Sequence, residues 1–231
     1  MAIKAIIFDL DGTLLDTLED LAKATNQVLS GHGLPSLPVE RYKKLVGAGA
    51  RNLMSRAWAA AGGTGSLETT ALDDLVAGFK AAYDQGWAIR TQPYPGLAVL
   101  LEKLLAAGFR LAVLSNKPDE FTQQMIRRYF PAIEFNAVSG MLAGWPPKPD
   151  PALALELCRR MGVTSGETAL AGDSGSDMET AVRAGFRPLG VLWGFRSAEE
   201  LRQNGAAELF INPDELAGYL LSDGERQKGA L

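Results

Sequence analysis

Lys4-Ala5-Ile6-Ile7-Phe8-Asp9-Leu10-Asp11-Gly12-Thr13-Leu14-Leu15-Asp16-Thr17 is the stretch on which the fold turns. From Lys4 to Phe8 a short apolar run ends in polar residues and a glycine, which reads as a buried strand. Beyond it the period changes. Leu18, Leu21, Ala22, Thr25, Val28 and Leu29 keep helical spacing and form one apolar stripe, with Asp16 and Thr17 where an N-cap belongs. The pattern repeats at Ala50, Leu53, Met54, Ala57, Trp58 and Ala61, and again at Leu72, Leu75, Val76, Phe79 and Tyr83. Breakers separate the stripes: Gly31-His32-Gly33, Leu34-Pro35 and Gly62-Gly63-Thr64-Gly65. Residues 16–89 therefore read as all-helical.

Pro93-Tyr94-Pro95-Gly96 is a strong turn and a boundary. After it, helix and strand alternate. Helices are expected at 97–107, 119–129, 151–161, 176–184, 198–204 and 213–221, and strands at 110–114, 135–138, 168–172, 189–193 and 208–211. Residues 222–231 read as a frayed polar tail. Such alternation implies an α/β fold, a doubly wound parallel sheet of Rossmann type carrying an inserted helical domain. The expected domains are a core of 1–15 and 90–231 and a helical insertion of 16–89. In such sheets ligands bind at the carboxyl ends of the strands.

Composition removes several classes. The 231 residues carry 27 acidic and 23 basic side chains, a formal charge of −4 that argues against a nucleic-acid partner held by phosphate neutralisation. No apolar stretch approaches the roughly 18 residues of a membrane span. The apolar run in the opening residues is too short for a signal-peptide core, so a cytoplasmic protein is expected. Cys158 is the sole cysteine, which excludes a disulfide framework, and reads as a small core hydrophobe. His32 is the sole histidine and sits between two glycines in a turn, so histidine-based chemistry has little to work with. Trp58, Phe79 and Trp87 read as core of the insertion, and Trp193 as core or cleft wall.

The strand ends carry the chemistry. After the first strand come Asp9 and Asp11. After 110–114 come Ser115, Asn116 and Lys117, and after 168–172 come Asp173 and Asp177. A proline-rich stretch delivers Lys148. Four carboxylates against one lysine would raise carboxyl pKa values or repel any anion. A divalent cation resolves this, and Mg²⁺ suits carboxylate oxygens while keeping waters that phosphate oxygens can replace. An aspartate can then attack phosphorus, a second carboxyl two residues on can protonate the leaving oxygen and activate water, and the hydroxyl and amides at Ser115-Asn116 can grip phosphoryl oxygens.

These residues resemble the haloacid dehalogenase superfamily. Asp9 to Thr17 is similar to its first motif, Ser115-Asn116-Lys117 to its second, Lys148-Pro149-Asp150-Pro151 to its third, and Gly172-Asp173-Ser174-Gly175-Ser176-Asp177 to its fourth, all in family order. The resemblance implies that Asp9 is the nucleophile. It makes Asp11 the general acid/base, lending its backbone carbonyl to Mg²⁺. Asp173 becomes a metal ligand and Asp177 a further or water-mediated one. Ser115 and Asn116 bind phosphate, while Lys148 holds nucleophile and phosphate together. The insertion resembles the family's small helical cap, which closes over the site and excludes water.

The resemblance also narrows the reaction. The dehalogenase branch lacks the acid found here as Asp11, so phosphoryl transfer is implied. The mutase branch carries an adjacent acidic pair where Asp173 has Gly172 and Ser174, which favours hydrolysis. A phosphonate-cleaving relative would want a cap lysine, for which Lys43 and Lys44 are candidates. Among phosphatases the chain is most similar to the phosphoglycolate phosphatase group, through Val46 to Met54, Pro93-Tyr94-Pro95-Gly96 and Val191-Leu192-Trp193-Gly194-Phe195. A small phosphorylated metabolite is the expected partner. Gly49, in the Gly47-Ala48-Gly49 loop, would set amides over the substrate, and Arg51 would take a carboxylate by a two-pronged contact. The competing readings are a sugar-phosphate mutase and a catalytically quiet binding module, which would be expected to have lost one of Asp9, Asp11, Lys148 or Asp173. Ser115 also reads as a helix cap, Asp173 and Asp177 as dipole-complementing residues of a first turn, and Arg51 as a solvated arginine.

Overall fold

The computed structural model describes residues 2–64 and 68–228. Gly65 of the third breaker cluster, the opening Met1 and residues 229–231 of the expected tail lie outside the described residues. The chain divides into two compact units, Met1–Leu15 with Pro93–Leu231, and Asp16–Gln92.

In chain order, β1 (Ala5–Phe8) and β2 (Leu15–Asp16) precede the helices α1 (Leu18–Gly31), α2 (Val39–Tyr42), α3 (Gly49–Ala60) and α4 (Thr69–Gly86). Then come β3 (Gln92–Pro93), α5 (Leu97–Ala106), β4 (Arg110–Pro118), α6 (Asp119–Tyr129), β5 (Ala137–Met141), α7 (Ala152–Arg160), β6 (Thr168–Gly172), α8 (Gly175–Ala184), β7 (Arg187–Val191), α9 (Ala198–Gln203), β8 (Glu208–Phe210) and α10 (Pro213–Lys228).

The larger unit is built on a six-stranded sheet of order β5-β4-β1-β6-β7-β8. Every pairing is parallel, with Ala5 opposite both Arg110 and Thr168. This is the doubly wound α/β fold that the alternation implies. All of β1 is buried, as expected for a strand covered by helices on both faces. Ile7, Leu114 and Leu170 pack with Leu153, Leu157 and Met161 in one apolar cluster, and Cys158 lies within it as a small hydrophobe. From β1 the chain builds outward to β4 and β5, then returns to β1's other side with β6. The order reverses at β1, and Asp9 is the residue that follows it. Ligands of open α/β sheets bind at such a switch point.

Several boundaries differ from the sequence reading: β5 lies at Ala137–Met141 rather than 135–138, where its pairing with β4 from Ala112 to Pro118 holds it. β4 runs past Leu114 through Ser115, Asn116 and Lys117, because β5 pairs with it again at Pro118 after a register shift. β7 begins at Arg187, two residues early, because Pro188 is accommodated opposite Leu170, whereas proline argues against a strand. Its early end leaves Trp193 in the following loop. The expected tail is helical through Lys228: Glu225, Arg226, Gln227 and Lys228 all favour helix, so no apolar stripe is needed to continue it.

In the smaller unit, α1, α3 and α4 bury Leu21, Leu29, Leu53, Met54, Leu75, Phe79 and Tyr83. Phe79 and Tyr83 stack at 5.5 Å between ring centroids, while Trp58 and Trp87 are only half-buried. Thr17 holds the N-cap position of α1 without a side-chain capping bond, and Asp16 Oδ1 accepts the Leu18 N–H at 3.3 Å. Buried Asp20 accepts the N–H groups of Arg90 and Thr91 and the Thr91 hydroxyl. His32 closes α1 by donating its N–H to the Leu29 carbonyl.

Candidate active site

Four segments that are distant in sequence meet at the ends of β1, β4 and β6. Asp9 leaves β1 with its N–H donated to the Ala171 carbonyl of β6 at 2.9 Å. The chain then turns tightly: the N–H groups of Thr13, Leu14 and Leu15 all aim at the Leu10 carbonyl. Gly12 makes this turn with a φ of +86°, and a Cβ there would lie 2.4 Å from Asp173 Oδ2. Only glycine fits so close to that carboxylate.

Lys148 is the hub. Its ammonium lies 2.8 Å from Asp9 Oδ1 and 2.6 Å from Asp177 Oδ1, and it donates to the Leu114 carbonyl at 3.0 Å. Asn116 fixes the backbone of the same lysine: its Oδ1 accepts the Lys148 N–H at 2.8 Å, and its Nδ2 donates to the Lys148 carbonyl at 3.0 Å. The side-chain amide of Asn116 thus fixes Lys148 and is distinct from the backbone amides expected to grip phosphate. Ser115 is buried inside β4, not at the start of α6, whose N-cap is Pro118. The helix-cap reading of Ser115 is thus corrected: its Oγ accepts the Lys117 N–H at 3.2 Å.

Asp173 follows β6 and is 2% exposed. Its Oδ1 accepts from the Thr13 hydroxyl at 3.2 Å and its Oδ2 from the Phe195 N–H at 2.8 Å. Asp177 is fully buried in the first turn of α8. There its Oδ2 accepts the Ser174 N–H and hydroxyl in a capping box, so the dipole-complementing reading holds for it as well. Carboxylate oxygens of Asp9, Asp173 and Asp177 all lie within 4.8 Å of one another.

The electrostatics follow from that crowding. Burial, with Asp177 and Asp173 nearby, raises the Asp9 carboxyl well above its usual range, although Lys148 opposes this. Burial and then Asp177 push Asp173 up to about 7, against the Phe195 N–H, Arg196 and the Thr13 hydroxyl. Burial alone would lower the Lys148 ammonium, but Asp177 and Asp9 outweigh it and hold it above an ordinary lysine. Three carboxylates around one ammonium form a set deficient in positive charge. Hard divalent cations suit such all-oxygen donors, so the residues fit Mg²⁺.

Asp11 is held apart from that trio by a residue whose role the sequence reading missed. Lys117 donates to both Asp11 oxygens, at 2.9 and 3.0 Å, with its own side chain only 4% exposed. Lys117 stands inside the second motif, yet nothing in spacing shows that it faces Asp11. Thr13 and the Phe195 amide were missed likewise, since each acts through tertiary contact; Ser174 was missed although Ser174 and Asp177 have the three-residue spacing of a capping box.

In the smaller unit, Gly49 opens α3 with a φ of +82°, and Arg51 on the same helix is exposed and paired with Asp73 of α4. Lys43 pairs with Glu40 at 2.8 Å and stays 40% exposed, and Lys44 is exposed, so neither has the desolvation that a Schiff-base lysine requires.

A family profile described as haloacid dehalogenase-like hydrolase matches residues 6–191, spanning all four motifs. The chain belongs to that family. Among curated relatives, a phosphoglycolate phosphatase from Psychrobacter arcticus is 33% identical over 94% of this chain and 95% of its own. An N-acetylmuramic acid 6-phosphate phosphatase from Pseudomonas aeruginosa is 29% identical over 95% of this chain and 96% of its own. A solved structure of a candidate phosphoglycolate phosphatase from Lactobacillus delbrueckii subsp. bulgaricus superposes with a TM-score of 0.89 at 31% identity, covering 95% of this chain and 99% of that one. This haloacid dehalogenase-like hydrolase is therefore an enzyme with phosphatases as its relatives. Among the described residues no helix is long and apolar enough to cross a membrane.

Proposed function

We propose that this hydrolase cleaves a small phosphomonoester with Mg²⁺ through an aspartyl-phosphate, with 2-phosphoglycolate the best single substrate. The observation that carries the proposal is Asp9 at the sheet's switch point, 2.8 Å from the Lys148 ammonium and within the carboxylate trio.

In this reading Asp9 attacks phosphorus and the ester P–O bond breaks. Asp11 gives its proton to the departing oxygen. Water then attacks the phosphorus of the aspartyl-phosphate, Asp11 takes its proton, and inorganic phosphate leaves with Asp9 restored. Lys148 orients Asp9 and offsets charge on the transferring group. The Ser115 hydroxyl and the Asn116 main chain bind phosphate oxygens. Asp9, Asp173 and the backbone carbonyl of Asp11 would hold Mg²⁺, with Asp177 supporting from Lys148 and the α8 cap. The cation supplies neutralising charge that lets a phosphate approach the carboxylates.

We take Asp16–Gln92 as the cap domain, with Gly49 and Arg51 as its specificity residues. Phosphoglycolate bears a carboxylate as well as a phosphate, which suits a guanidinium that already pairs with a carboxylate at Asp73. The similarity to a sugar-phosphate phosphatase supports a second substrate reading, a hexosamine phosphate. The test is phosphate release from phosphoglycolate, hexose and hexosamine phosphates, nucleoside monophosphates and pyrophosphate, with and without Mg²⁺, and with Asp9→Asn as control. Metal-dependent release that disappears in the variant supports the mechanism, and the preferred ester decides the substrate. Release unaffected by Asp9→Asn would overturn the nucleophile.

A further inference from the structure

The loop after β7 reaches back across the sheet to Asp173. The Leu192 N–H is still tied to the Phe210 carbonyl of β8. The next three residues then close a ring of contacts with the first-motif turn. The Trp193 indole donates to the Thr13 carbonyl at 2.9 Å. Thr13 in turn donates its hydroxyl to Asp173 Oδ1, and the Phe195 N–H reaches Asp173 Oδ2. Gly194 lies flat against the carboxylate's stem. A Cβ there would meet both Asp173 Cβ and the Gly12 carbonyl at 2.3 Å. Asp173 is thus crowded by both Gly12 and Gly194, with one protein donor on each oxygen.

A carboxylate offers about four lone-pair directions. Two are claimed by Thr13 and Phe195, so acceptor capacity remains for a cation, and the donors determine which way it points. We propose that Trp193-Gly194-Phe195 is a positioning element that presents Asp173 to the divalent cation. The inference rests on the metal-dependent reading above and adds to it residues that touch neither metal nor substrate. Partners that orient a ligating carboxylate commonly change metal affinity by about 10–100-fold when removed.

The test is calorimetric titration of the full-length, chelator-stripped protein with MgCl₂, alongside its melting temperature in chelator. Trp193→Phe keeps a ring and deletes the donor to Thr13. Gly194→Ala drives a methyl group against Asp173. The expected result is a Mg²⁺ dissociation constant raised about threefold or more in Trp193→Phe and about tenfold or more in Gly194→Ala. At saturating Mg²⁺ the KM for p-nitrophenyl phosphate should stay within about twofold of wild type. A loop that only supports the fold would lower the melting temperature and leave the dissociation constant alone. Unchanged Mg²⁺ affinity in Trp193→Phe overturns the proposal even if Gly194→Ala does not fold. Failure of the wild-type protein itself to bind Mg²⁺ at millimolar concentrations overturns the metal reading and this proposal with it.

Discussion

Asp173→Asn should make the chelated protein more stable, by an amount that grows with pH. Asp173 is nearly inaccessible and its carboxyl is pushed up to about 7, first by burial and then by Asp177. In the unfolded chain an aspartate titrates near 3.9. Between those values the folded state holds a proton that the unfolded state has lost. Stability therefore falls as pH rises through this window and levels off above about 7. Each pH unit inside the window is worth about 1.4 kcal/mol, so the penalty grows by roughly 3 kcal/mol from pH 5 to 7. Asparagine has the same shape and no charge to expel. Its oxygen can accept the Phe195 N–H while its amide turns to the Thr13 hydroxyl. The stability gap between variant and wild type should therefore widen by about 2–3 kcal/mol between pH 5 and pH 8. Urea unfolding followed by tryptophan fluorescence, in chelator and at each pH, reads this directly. A gap that is constant within about 0.5 kcal/mol, or that narrows with pH, would refute the account of Asp173 as a strained carboxylate. Mg²⁺ should narrow the gap at pH 8: at 100 times its dissociation constant it stabilises wild type by about 2.7 kcal/mol, and the variant far less.

Lys117→Met removes the two-pronged clamp on Asp11. Steady-state kinetics should show kcat reduced about tenfold, a part of the roughly 10²–10⁴-fold that general acid–base catalysis supplies, and KM little changed; an unchanged kcat would mean the clamp is dispensable. Asn116→Ala deletes both bonds that hold the Lys148 backbone in a buried site. Its cost should be about 2–3 kcal/mol in denaturant unfolding, and a loss below about 0.5 kcal/mol would show that Lys148 is held by its ammonium contacts alone. Arg51→Ala should raise KM for phosphoglycolate about tenfold while leaving p-nitrophenyl phosphate, which has no carboxylate, unaffected; equal effects on both esters would remove Arg51 as the carboxylate reader. Leu157→Ala, in the core cluster against the sheet, should cost about 2–5 kcal/mol without changing KM, measured on the same unfolding curves.

Fold class and the chemical cast of the site were legible along the chain. A parallel sheet buried on both faces demands continuous apolar strands such as Ile6-Ile7-Phe8, and helices demand stripes, so the alternation is legible from period alone. Asp9, Lys148 and Asp173 stand immediately after or between those elements, where open sheets assemble their sites. Boundaries were less legible wherever a partner decided them: β4 extends because β5 meets it again at Pro118, and Pro188 lies in β7 against its own propensity. Partnerships were decided only by the tertiary structure. Lys117 meets Asp11 across 106 positions, and the Trp193 indole meets Thr13 across 180. Asn116 spends its amide on a lysine backbone that approaches only after β4 and the proline-rich stretch come together. Local period depends on the nearest few residues and so is written along the chain. Hydrogen bonds and charge crowding depend on distances of about 3 Å between segments that only the folded sheet brings side by side.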